Sequence, residues 1–191
     1  MSYLSQSFKK AIAAFANADD FVLSFSDGGY QIAEDICNRI AVERKLKQLS
    51  VAEQMLIEDE MEGAVSFYNR LSPACLILLV SVLEDYLLEI CELAAQEKGI
   101  RFAEEEFDPF TLEQAKLFFE KEFGIQFPGS WPTWEKLQEY KTMRDKFIKL
   151  RGLGRYSVEI SDDFLVELNK TAITFFQELQ GYLMKALGQG S

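Results

Sequence analysis

Residues 72–99 read SPACLILLVSVLEDYLLEICELAAQEKG. A serine followed by proline opens the stretch, a pairing that suits a helix N-cap and first helical position. Gly99 closes it, where a left-handed C-terminal residue is expected. Between them the apolar residues cover most of the helical circumference, so this helix belongs in the middle of a packed bundle. Its most apolar window, Ala74 to Leu83, is about half the length a bilayer requires, and Glu84 and Asp85 follow at once. A membrane span is therefore not expected. Glu84 and Asp85 sit directly behind a buried run, and acids in that place need a basic partner.

Helix signals continue on both sides. Leu4, Phe8, Ile12 and Phe15 form one stripe, giving a first helix over about 3–17. Asp27, Gly28 and Gly29 are read as a break, with a long second helix over about 30–71 that Gly63 kinks or interrupts. Residues 100–110 form an acidic loop. Thr111 and Gln114 have capping-box spacing and open a short helix ending near Phe123 and Gly124. IQFPGSWPT (125–133) is a loop, and Thr133 is read as the cap of a helix reaching Leu150. RGLGRYSVEI (151–160) is another loop. Ser161 or Asp162 caps a last helix to about Leu187, after which GQGS should fray. The expectation is a single all-α domain over 1–191, a bundle of about six helices around a central buried helix near 72–98.

Composition narrows the chemistry. The chain has 191 residues, 48% of them hydrophobic, a net charge of −11 and no histidine. Histidine metal sites and Ser-His or Cys-His nucleophile pairs are thereby excluded. Cys37, Cys75 and Cys91 show no zinc spacing. Cys75 and Cys91, on one helix, stand about 24 Å apart and cannot bridge. Reduced thiols of a cytoplasmic protein are the simplest reading. The first twenty residues lack the basic start and apolar run of a secretory signal. No metal or other cofactor is expected.

Charge is uneven. Lys141, Arg144, Lys146, Lys149, Arg151 and Arg155 lie within 141–155 against the single acid Asp145. A smaller basic run holds Arg39, Arg44, Lys45 and Lys47. Solvated helix faces and a favourable helix dipole account for part of this. The functional alternative is a phosphate-binding or acidic-partner site. Asp145 and Lys149, four apart, are placed to pair on the helix surface. Trp131 and Trp134 have the spacing of core or loop-anchoring residues, with base stacking as the alternative. Phe118, Phe119 and Phe123 read as core.

The helix YKTMRDKFIKLRG (140–152), a loop, and then ISDDFLVELNKTAITFFQEL (160–179) resemble the C-terminal half of a HEPN-superfamily domain. The helix SPACLILLVSVLEDYLLEI (72–90) is similar to an earlier core helix of that family, which often carries an acid where Glu84 stands. The likeness spans about residues 64–187, leaving 1–63 as an N-terminal helical region. The family signature is an Arg followed by a polar residue, with a His four to six residues after the Arg. Arg144 matches the Arg and Asp145 the polar residue, but Lys149 occupies the histidine position. The resemblance implies a helical bundle of toxin–antitoxin, defence or RNA-processing systems. Active members are metal-independent endoribonucleases in which two motifs meet across a homodimer.

A free lysine is neutral in only about one molecule in 2,500 at pH 7, so Lys149 makes a poor general base unless strongly desolvated. The expectation is therefore a degenerate motif of Arg144, Asp145 and Lys149 supported by Glu84, with Lys141, Lys146, Arg151 and Arg155 as RNA or phosphate contacts. Such a protein acts by homodimerisation and by binding a cognate antitoxin, another partner protein or RNA. The alternatives are an active endoribonuclease, one inactivated at position 149, and an unrelated helical adaptor. In the last, Arg144 is buried against an acid such as Glu84 within one chain.

Overall fold

A computed structural model of the chain describes residues 2–46, 55–56, 59, 62–63, 71–102, 110–127, 131–150 and 160–188. The fold is all-α, and five helices have both ends described: α1 (Tyr3–Leu46), α2 (Leu71–Lys98), α3 (Leu112–Phe123), α4 (Pro132–Leu150) and α5 (Asp162–Ala186). Met55, Leu56, Asp59, Glu62 and Gly63, between α1 and α2, are also helical. No strand occurs among the described residues.

α2 is the centre of the bundle, packing against all four other helices. It contributes Leu76, Val80, Leu83, Leu87, Ile90, Cys91 and Ala94 to the core. Burial, reinforced by the charge of Glu92, pushes the Cys91 thiol well up, and burial with Asp162 raises Cys75. Both are buried free thiols, consistent with a packing role. Pro73 lies in the first turn of α2, where its missing N–H has no intrahelical acceptor to lose. Among the described residues no helix is long and apolar enough to cross a membrane.

The largest departure from the sequence reading is α1. Gly28 and Gly29 do not break it, and a single helix of 44 residues runs from Tyr3 to Leu46. A helical glycine costs about 1 kcal/mol relative to alanine, too little to stop a growing helix when nothing else competes. The first proline of the chain is Pro73, so no hard breaker lies in this region. The expected second helix over 30–71 is accordingly not one element: Tyr30 to Leu46 belong to α1, and Leu71 opens α2. Most residues between lie outside the described set, as do 103–109 of the acidic loop and 151–159 of the later one.

Leu4, Phe8, Ala11, Phe15 and Val22 bury one stripe of α1 against α5 and α2. Phe15 meets Phe176 with ring centroids 6.0 Å apart. Beyond Val22 no described side chain of α1 is buried.

The capping signals held at α3 and α5. The Thr111 hydroxyl accepts from the Gln114 amide at 3.4 Å and donates to Gln114 Oε1 at 3.1 Å. Gly124 ends α3 at φ 64, and its N–H returns to Glu120 and Phe119 carbonyls. Ser161 accepts from the Phe164 amide at 3.2 Å. Thr133 is a correction. The Glu135 N–H returns to the Trp131 carbonyl, so α4 opens two residues earlier than a Thr133 cap implies, with Pro132 first. The Thr133 hydroxyl instead donates to Glu178 of α5 at 2.6 Å, beside the Trp131 indole N–H, which donates to the same carboxylate oxygen. Trp131 and Trp134 are core residues packed on Phe127 and Phe175, as their spacing implied. Phe118 and Phe119 are buried and Phe123 packs against them.

Candidate functional site

The inner stripe of α4 is Trp134, Leu137, Tyr140, Arg144 and Phe147. Position 144 therefore points into the bundle for reasons of period alone, and an arginine must find acids there. It finds Glu84, carried on the stripe of α2 that faces α4. Both side chains are 11% exposed.

Arg144 Nη1 donates to Glu84 Oε2, and Nη2 lies 3.4 Å from Glu84 Oε1. On its other edge, Nε donates to Asp145 Oδ1 at 3.0 Å, and Nη2 stands 2.9 Å from the same oxygen. All three guanidinium nitrogens are thus directed at two carboxylates. Lys141 extends the chain of charges, 3.0 Å from Asp145 Oδ2 and 3.6 Å from Glu113 Oε2 at the start of α3. Three helices meet in this ladder of Glu84, Arg144, Asp145, Lys141 and Glu113.

The protonation equilibria follow from the ladder. Burial alone would lower the Arg144 pKa, but its bonds and charge interactions with Glu84 and Asp145 outweigh that and raise it. Burial would raise the Asp145 carboxyl, yet the bonds from Lys141 and Arg144 leave it below the usual range. Lys141 is raised, burial opposing and Asp145 and Glu113 prevailing. Arg144, Asp145 and Lys141 are thereby each favoured in the charged form.

Lys149 is not part of this ladder. Five residues from Arg144, it is displaced by about 140° around the helix. It is exposed, on an outer face shared with Lys146, Thr142 and Glu139. The expected surface pair of Asp145 with Lys149 is corrected: Asp145 turns back one turn to Lys141 and sideways to Arg144. Of the proposed phosphate contacts, Lys141 is tied to carboxylates and Lys146 is exposed, while Arg151 and Arg155 lie outside the described residues. The sequence reading missed Glu113. Its place in the first turn of α3 was visible, but the tertiary approach to Lys141 has no local signal.

Chemically, the ladder is a closed charge network with one more carboxylate than cations, rather than an open anion site. Its two cations face three carboxylates, with no guanidinium edge left for a phosphate. Among the described residues no group of His, Cys, Asp and Glu side chains is arranged to hold a metal ion. Comparison with protein-family models, with curated proteins and with solved structures returned no match.

Proposed function

We propose that this chain is a non-catalytic helical binding protein of HEPN type, in which the Arg144–Asp145–Lys149 motif has lost its chemistry. The single observation supporting this reading is that Arg144 spends its donors on Glu84 and Asp145 while Lys149 stands on the opposite, outer face of α4. An arginine so engaged adds little to stabilising a charged transition state at Lys149. Binding is then the remaining role, as a cytoplasmic homodimer whose partner is a cognate antitoxin-like protein or RNA. The outer face of α4 with Lys146 and Lys149 offers the cationic contact. With a net charge of −11, any RNA affinity rests on that local face and falls steeply with salt.

The test is incubation with total RNA in EDTA, beside a Lys149→His variant. The chain itself is expected to leave RNA intact. Cleavage by the unaltered chain, lost on Arg144→Ala, would overturn the reading in favour of a working endoribonuclease. A second reading, an unrelated helical adaptor, is favoured by the same buried Arg144–Glu84 pair within one chain. Metal-independent cleavage regained by Lys149→His, leaving 2′,3′-cyclic phosphate ends, would decide against the adaptor.

A further inference from the structure

The half of α1 beyond Val22 carries apolar side chains that the bundle does not cover. Ile32 and Val42 keep 54% and 55% of their surface exposed, and Ile36 is half-buried. At 100° per residue, Ile32, Asp35, Ile36, Arg39 and Val42 fall within an arc of about 120°. That arc is rotated about 100° from the stripe of Leu4, Phe8, Ala11, Phe15 and Val22 that faces the bundle. It is therefore a separate face, not a frayed continuation of the packed one.

The order of residues along this face is self-complementary. When two copies of the segment lie antiparallel about a two-fold axis passing beside residue 37, Ile32 faces Val42 of the other copy and Asp35 faces Arg39. The two exposed apolar residues thus meet each other, and Asp35 and Arg39 form two contacts of opposite charge; Ile36 has Asn38 at the related position, outside the arc. A parallel arrangement in register would instead set Asp35 against Asp35 and Arg39 against Arg39, which is repulsive. Charges flanking an apolar seam are the usual means by which helices choose partner and orientation. A closed two-fold contact needs a patch that complements itself, a condition this one meets.

We infer that the distal half of α1 is an interaction surface for a second copy of this chain, paired antiparallel through Ile32, Asp35, Arg39 and Val42. The inference does not depend on the RNA-related reading of α4, whose residues lie on another helix. The seam holds few apolar layers, so the association is reversible and concentration-dependent.

The experiment is sedimentation equilibrium of the full chain, from micromolar to hundreds of micromolar, with the variants Asp35→Arg, Arg39→Asp and the double exchange. Each single reversal sets like charges opposite one another and is expected to raise the dissociation constant about tenfold or more. The double exchange restores the complement and is expected to recover the original constant. Both substituted positions are exposed, and far-UV circular dichroism verifies that helix content is unchanged. A chain that stays monomeric over the whole range would overturn the inference. So would self-association indifferent to the single reversals, or one that the double exchange fails to rescue.

Discussion

Arg144 and Glu84 are each worth more to the other than either is to the fold. A buried ion pair gains little over well-packed apolar residues, but stranding one partner is expensive. Arg144→Met or Glu84→Gln alone is expected to cost about 3–5 kcal/mol, measured by urea denaturation. The double variant Glu84→Leu/Arg144→Met should recover most of that loss. The ladder also gives a pH signature at Asp145. Its folded pKa is depressed, so its contribution is complete above the unfolded carboxyl pKa and is lost as pH falls through the lower folded value. Asp145→Asn is expected to lower stability at neutral pH and to flatten the acid limb of the stability curve between those two values. An acid limb of unchanged slope would mean that other carboxylates carry it.

Among the elements, α1 offers the most direct test of the fold. A Cβ added at Gly28 meets nothing within 4 Å, and the backbone there is helical. Gly28→Ala is expected to favour the local helix by about 1 kcal/mol, slowing amide exchange around it about fivefold. The effect belongs to local opening, because the neighbouring turns bury nothing described. This helix also shows where sequence reasoning stops. Thr111, Gly124 and Ser161 were legible because capping is settled by residues within one turn. Arg144 opposite Glu84 was legible because a buried acid and an inward arginine have few other solutions. Gly28–Gly29 misled because a glycine pair signals both a turn and a tolerated weak spot, and only the absence of proline decides. Thr133 misled because its hydroxyl found a distant carboxylate, Glu178, in place of its own backbone. The inner-versus-outer split of Arg144 and Lys149 was available from helical period alone, yet a motif read as a string hides it.

At the scale of the whole molecule, α1 sets the dimensions. Its 44 residues span about 66 Å, whereas a compact chain of this length has a radius of gyration near 16 Å, or a diameter of about 42 Å. Small-angle scattering on a sample of measured particle mass is expected to give a radius of gyration above that compact value. A value at the compact limit for a monomer would require α1 to bend or melt in solution.

The seam between α4 and α5 has an optical consequence. Both tryptophans of the chain lie there, buried among Phe127 and Phe175, with the Trp131 indole held by Glu178. Intrinsic emission is thus a single-site reporter of that seam and is blind to the far end of α1, whose melting only ellipticity registers. The two signals are expected to fall out of step on heating, ellipticity first, so that their disagreement measures how independently the long helix loosens while the bundle stays closed.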